Sequence, residues 1–444
     1  QKQQHIAIFT TASLPWLTGT SVNPLFRAAY LAKHEERKVT LAIPWLKRDD
    51  QEHLYPNNII FRSPHEQESH VRHWVEQRAG FKSDFAIRFY PARFSVPKRS
   101  IIATGDLTEV IPDEEADIAV LEEPEHLTWY HHGRRWKSKF RLVIGIVHTN
   151  YLEYVKREKN GQLQAFLLKY FNNWVVDIYC HRVIRLSAAT QDLPRSVICN
   201  VHGVNPKFID IGTKRDDGAF TKGVYYIGKM LWSKGYRELI KLLGDHQRDL
   251  TGVEIDLYGS GEDSYEIGDA AKKLKMPVNI HPARDHADSL FHEYKVFINP
   301  STTDVVCTTT AEALAMGKIV ICADHPSNEF FKRFPNCRTY VDGDGFVREM
   351  LEALRDRPSP LTDEQRHDLS WDAATERFLK AAELDLVSGK QHSSSRDCSK
   401  LFLSRSFGFT RSLEDPSAIF HYLGTGLFGE QPDEEQCREL GLSV

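Results

Sequence analysis

The sequence predicts an α/β protein built of two doubly wound, Rossmann-like domains facing a cleft, and three observations lead there. Short apolar, β-rich runs alternate with helical stretches along most of the chain, a polar glycine-containing stretch at 211–223 splits them into two series, and glycines or small polar residues follow several strand ends. Alternation of this kind implies parallel sheets covered on both faces. Ligands of such sheets bind outside the carboxyl ends of the strands. At 444 residues, 41% hydrophobic and 27% charged, the chain is globular in composition and too long for one ordinary core.

The first series opens with an apolar strand at 5–11, followed by the loop Pro15-Trp16-Leu17-Thr18-Gly19-Thr20 and a helical pattern over 23–34. Further strands are expected at 39–43, 118–121, 142–147, 183–186 and 197–201. The second series places strands at 223–227, 253–258, 278–280, 296–298, 319–323 and 338–341. The Ser-rich stretch 388–400 reads as a connector and 417–424 as a short helix. The expected division is a first domain over 1–210, a second over 211–385, and a segment 386–444 that returns to the first.

Composition excludes several classes. No apolar run approaches the roughly 20 residues of a spanning helix, and the seven cysteines are odd in number with no Cys-x-x-Cys pair, against a disulfide framework or structural zinc. A reducing compartment fits. The chain opens at Gln1 rather than a methionine, so the absence of a targeting segment from these residues carries no weight. Net charge is −4, with 27 basic against 22 acidic residues in 1–200 and 30 against 39 beyond, which points the first half toward an anionic surface. An acidic chain without a nucleic-acid module gives no support to nucleic-acid binding.

The chemistry concentrates in 299–318. An apolar strand runs into a small-residue turn holding Asp304, then a helix starting near Thr308 and Thr309 and carrying Glu312. The unpaired N–H groups and positive end of that helix suit a diphosphate, and carboxylates on either side suit sugar and ribose hydroxyls. Gly228-Lys229, with Lys234-Gly235 five residues later, follows another strand, and two ammonium groups there would neutralise a diphosphate and the charge that grows on it as a sugar leaves. Gly19, Gly228, Gly259 and Gly261 all follow strands and would allow close backbone approach. His148 ends an apolar strand, a position more often held by a packed or hydrogen-bonded histidine than by a functional one. Two basic aromatic stretches suit a lipid interface: 129–141, with Trp129, Arg134, Arg135, Trp136 and Lys137, and 88–99, with Phe85, Phe89, Tyr90 and Phe94 nearby.

Gly-Lys-x4-Lys-Gly at 228–235 and the acidic motif from Asp304 to Glu312 resemble those of the retaining glycosyltransferases of the GT-B fold, family four. The resemblance spans most of 5–380. It implies that Asp304 addresses the transferred sugar, Thr308 and Thr309 hold phosphate, Glu312 binds ribose, and Lys229 and Lys234 bind the diphosphate. It places Gly19 in the N-terminal glycine loop and His148 against the sugar. Asp304 stands where that family usually has Glu, and Lys229 where Arg is common, so reach and bidentate geometry change while charge is kept.

More narrowly, 307–318, 323–331 and 431–437 are similar to the plant digalactosyldiacylglycerol synthase family. That similarity implies galactose transfer from UDP-galactose to monogalactosyldiacylglycerol, with retention and an α(1→6) link, by a peripheral protein on an anionic lipid surface, the cytosolic side of the chloroplast outer envelope. No metal or other cofactor is expected from the residues, since no Asp-x-Asp follows the strands that lead to Gly19, Gly228, Gly259 or Asp304 and the lysines can neutralise the diphosphate. Two alternatives stay open from the residues themselves: the same fold acting on a soluble sugar, and a non-catalytic sugar-nucleotide or lipid-binding protein on such a scaffold.

Overall fold

The structure, a computed structural model, describes residues 3–156, 161–214, 220–384, 416–428 and 431–443. Its first sheet is formed by β1 (Gln4–Phe9), β2 (Arg37–Leu46), β3 (Ala86–Ser95), β4 (Ser100–Ala103), β5 (Ile118–Glu122), β6 (Leu142–Val147), β7 (Arg182–Arg185) and β8 (Ser196–Ile198). The order is β4-β3-β2-β1-β5-β6-β7-β8, parallel except for the β3–β4 pair. The second sheet holds β9 (Lys222–Ile227), β10 (Ile255–Tyr258), β11 (Val278–His281), β12 (Tyr294–Asn299), β13 (Ile319–Ala323) and β14 (Cys337–Tyr340). Its order, β11-β10-β9-β12-β13-β14, is parallel throughout.

Both sheets are doubly wound. Strand order reverses between β1 and β5 in one and between β9 and β12 in the other, so each has a crevice at the carboxyl end of that pair. The central strands are buried along their length because helices cover both faces: β5 reads Ile-Ala-Val-Leu-Glu and β13 reads Ile-Val-Ile-Cys-Ala, with every residue buried.

Two sequence expectations change. The 88–99 stretch does not present its aromatics to a lipid face: 88–95 lie in β3, Phe85, Phe89 and Tyr90 are core residues, and the exposed part is the turn 96–99. Pro91 and the charges of Arg88 and Arg93 break up the apolar run that would have marked it as a strand. The second domain also ends earlier than 385. The helix Trp371–Ala381 packs in the first core, where Trp371 stacks on Phe26 at 5.7 Å and Lys33 pairs with Asp372 at 2.8 Å. The helices Pro416–Phe428 and Glu434–Leu440 also lie on the first unit. His421 Nδ1 meets Tyr179 OH at 2.7 Å, and the Gln436 amide donates to the carbonyls of Trp45 and Ala92. The expected connector 388–400 falls outside the described residues.

Candidate active site

The β9/β12 crevice holds most of the expected donor residues. After β9 the chain turns at Gly228 and Lys229 and enters the short helix Trp232–Tyr236, whose backbone departs from helical geometry at Lys234 and Gly235. Gly235 has φ +86°, and a Cβ on it would lie 2.8 Å from the Ser301 nitrogen, so this position needs glycine on both counts. The loop is fastened from three sides: Tyr226 OH donates to the Lys234 carbonyl at 2.6 Å, Tyr236 OH to the Gly228 carbonyl at 3.0 Å, and Thr303 Oγ1 to the Ser233 carbonyl at 2.6 Å. Lys234 Nζ therefore arrives 3.4 Å from Asp304 Oδ1 on the turn after β12. Burial opposes its charge, but the Asp304 carboxylate and the Tyr154 hydroxyl outweigh burial and hold its pKa above the ordinary lysine value. Lys229 is exposed and forms no ion pair among the described residues.

The helix Thr308–Ala315 begins at Cys307 with no side-chain cap and no acidic residue in its first turn, leaving its N-terminal N–H groups for another acceptor. Thr308 is exposed at this end and Thr309 half-buried. One turn on, Glu312 Oε2 lies 2.6 Å from His286 Nδ1, and His286 Nε2 lies 2.7 Å from Tyr225 OH. Burial, with Glu312 nearby, keeps the Tyr225 phenol far above its usual pKa and so protonated, and His286 bridges it to Glu312, with Nδ1–H donating to the carboxylate. That chain of bonds fixes the carboxylate and leaves Oε1 without a protein partner among the described residues. His286 comes from a loop between β11 and β12 with no motif to single it out.

Gly259 and Gly261 have a packing task. A Cβ on Gly259 would sit 2.1 Å from the Gly228 carbonyl oxygen, and one on Gly261 would sit 2.4 Å from the Met230 carbonyl oxygen. They let the loop after β10 press against the loop after β9, joined by the Met230 N–H to Ser260 carbonyl bond of 2.9 Å.

The β1/β5 crevice supplies the opposite wall. Gly19 is exposed at the start of the helix Gly19–Leu31, and a Cβ on it would make only an ordinary contact, 3.7 Å from Asn23 Nδ2. His148, after β6, hydrogen-bonds through Nε2 to Glu122 Oε2, and Arg27 Nε meets Glu122 Oε1 at 2.6 Å. Burial raises the Glu122 pKa, but Arg27 and His148 outweigh it and hold the carboxyl below its usual range. Glu122 is thus an ionised, buried anchor for the histidine ring. Beside it, Glu123 has φ +68° and accepts from Thr11 Oγ1 at 3.2 Å, Tyr151 OH at 3.1 Å and Thr149 Oγ1. Burial pushes Glu125 up to about 8. These carboxylates were overlooked in the sequence, where Leu121-Glu122-Glu123-Pro124-Glu125 closing an apolar strand was the available signal.

The two walls meet. The Lys234 ammonium lies 5.5 Å from the Tyr154 ring of the first unit, and Val305, next to Asp304, packs into the first core.

The basic aromatic stretch 129–141 does not form a lipid-facing belt. Trp136 is fully buried, edge-on to Phe9 at 4.8 Å. Trp129 is half-buried, with Nε1 donating to Asn172 Oδ1 at 2.9 Å. Arg134 pairs with Asp113 at 2.7 Å, and Lys137 donates to the Asp177 carbonyl at 3.1 Å. Arg135 is half-buried beside them. The short helix Trp136–Lys139 packs its aromatic residue inward.

Two Rossmann-like units meeting at their switch-point crevices, with lysines, carboxylates and a bare helix N-terminus gathered there, define a glycosyltransferase of the GT-B class. Residues 221–356 match the family model for glycosyl transferases group 1. The fold is that of a solved glycosyltransferase from Rickettsia africae, with a TM-score of 0.54 and 12% identity over 88% of this chain and 100% of that one. Digalactosyldiacylglycerol synthase 2, chloroplastic, of Lotus japonicus is 65% identical over 100% of this chain and 98% of its own length. The Arabidopsis thaliana protein of the same name is 63% identical over 100% and 97%. The chain belongs to the digalactosyldiacylglycerol synthase family.

Because His286 and Tyr225 hold Glu312 in place, Glu312→Ala is expected to weaken donor binding about tenfold, the worth of one charge-assisted hydrogen bond or slightly more. Titration of UDP against the variant by calorimetry measures it.

Proposed function

We propose that this protein transfers galactose from UDP-galactose to monogalactosyldiacylglycerol with retention, giving digalactosyldiacylglycerol and UDP. The observation that carries this reading is identity of 65% along the whole chain to a protein of that name, the C-terminal segment included. The sugar's bond to the diphosphate oxygen breaks and a bond to the acceptor's 6-hydroxyl forms on the same face. The acceptor proton passes to the departing diphosphate, so no separate base is needed.

In this reading Asp304 takes the sugar hydroxyls, Glu312 the ribose, and Thr308 and Thr309 the phosphates through their N–H groups. Lys229 and Lys234 meet the growing diphosphate charge, a role that leaves no step for a metal ion. Gly228 allows the backbone to approach the diphosphate, Gly19 does so on the opposite wall, and His148, oriented by Glu122, contacts the sugar. Gly259 and Gly261 support the donor loop from behind. Without donor, Lys234 rests on Asp304; the diphosphate takes the lysine and frees the carboxylate for sugar.

Among the described residues no helix is long and apolar enough to cross a membrane. A peripheral position on the cytosolic side of the chloroplast outer envelope suits an acceptor that resides in a bilayer.

The test is incubation with radiolabelled UDP-galactose and monogalactosyldiacylglycerol in mixed micelles, with UDP-glucose and soluble galactosides in parallel. Labelled digalactolipid from UDP-galactose alone is expected. Label appearing only on soluble sugars would remove the lipid assignment.

A further inference from the structure

The stretch 129–141 turns its tryptophans inward, yet a different surface is strongly apolar. On the helix Gly161–Tyr179, Leu163, Phe166, Leu167 and Tyr170 recur at helical spacing and are each 57–67% exposed. The helix Pro416–Phe428 adds Phe420 at 75%, Leu423 at 62% and Leu427 at 81%. The two helices are joined through His421, which is buried against Tyr179, Phe171 and Trp174. Their exposed apolar residues therefore belong to one side of the molecule. Side chains of this size left in water form a patch of the kind that marks an interaction surface.

Charge and position say what occupies it. No Asp or Glu occurs in 161–176, where Lys169 is the single charged residue, and 416–428 contains no Asp, Glu, Lys or Arg at all. The carboxylate of this helix, Asp177, comes two turns beyond Tyr170 and is paired with Arg195 at 2.6 Å, so the face from Leu163 to Tyr170 is apolar and aromatic, which suits the acyl and headgroup boundary of a bilayer. The patch is also continuous with the acceptor wall of the cleft. The helix Tyr151–Lys156 stands between the site and the helix Gly161–Tyr179, its Tyr154 facing Lys234 and its Tyr151 packed 5.0 Å from Trp129, which in turn bonds Asn172 of the longer helix.

We propose that the exposed faces of these two helices insert into the surface of a lipid bilayer and set the cleft against it. The proposal rests on the galactolipid reading for the reason a bilayer must be approached, since a diacylglycerol acceptor can then enter the site without leaving its membrane.

The test uses the full chain and sedimentation with vesicles of phosphatidylcholine and monogalactosyldiacylglycerol, without donor. Phe166→Ser with Leu167→Ser, and separately Phe420→Ser with Leu427→Ser, are each expected to lower vesicle partitioning at least about tenfold, consistent with the loss of two large apolar contacts. Wild-type binding is expected to persist in high salt, because insertion rather than charge holds it. Transfer to acceptor dispersed in detergent micelles should stay within about twofold of wild type, which also shows that the variants fold. Unchanged partitioning of both variants, or failure of the wild type to bind vesicles, overturns the proposal. So does conversion of a wild-type dimer to monomer by the same substitutions, which would assign the patch to a second copy. Vesicle binding and micellar transfer are read separately, so absence of digalactolipid in micelles would sink the reaction without deciding the surface.

Discussion

Lys234→Ala is expected to lower kcat about 100-fold at saturating UDP-galactose while raising the donor KM much less, the pattern of a contact that strengthens in the transition state. The ammonium lies on a loop fixed by Tyr226, Tyr236 and Thr303, beside a glycine that tolerates no side chain. It therefore needs little reorganisation to meet charge developing on a departing diphosphate. Asp304, aided by Tyr154, offsets burial and keeps the lysine charged through neutral and moderately alkaline pH. Loss of activity with rising pH should accordingly not come from this group until beyond the ordinary lysine range. Lys272→Ala, on an exposed helix position, is the control. Steady-state kinetics on both variants decides the matter: equal, mild effects would remove Lys234 from the chemistry. Lys234→Arg should recover part of the rate, since charge survives while the rigid loop limits where a larger fork can sit.

Much of this site was legible because its residues obey a positional rule. Lys229, Lys234, Asp304 and His148 follow strands whose apolar character is plain, and parallel sheets put such positions on one edge. What stayed hidden depended on contacts rather than position. Gly259 and Gly261 read as glycines for a ligand, yet the atoms they admit are the carbonyl oxygens of Gly228 and Met230. His286 sits in a loop whose sequence says nothing of its bond to Glu312, 26 residues onward. Trp136 and its basic neighbours have the composition of a membrane belt, but composition does not say which way a side chain turns. Only the packing of Phe9 and Phe140 around the indole reveals it. The exposed stripe from Leu163 to Tyr170 has the opposite history. Its spacing is that of a core-facing helix, and only the fold shows that this face is exposed among the described residues.

Arg27→Met should destabilise the protein by about 3–5 kcal/mol, since it strips a buried carboxylate of its main partner. Arg27 and Glu122 side chains are both fully buried, and the guanidinium also donates to the Val201 carbonyl at 2.8 Å. It further lies 5.7 Å from the Trp371 ring and 5.4 Å from that of Phe378, which ties the returning helix to the first sheet. In the wild type the Glu122 pKa lies below its unfolded value, so this pair stabilises above the unfolded pKa, and the contribution is lost as pH falls through the folded one. In Arg27→Met burial dominates instead and raises the carboxyl. The charged form then opposes folding at neutral pH, and protonation relieves it. The gap in thermal midpoint between wild type and variant, about 10 °C near neutrality, is therefore expected to narrow as pH falls toward the carboxylate range. Scanning fluorimetry across that range measures it, and a gap that is absent or constant with pH would refute the account. Arg27→Met with Glu122→Leu removes both charges and should regain most of the stability. It should not regain activity, because His148 then loses the carboxylate that orients its ring. Stability restored without turnover would separate the scaffolding task of the buried pair from its task at the site.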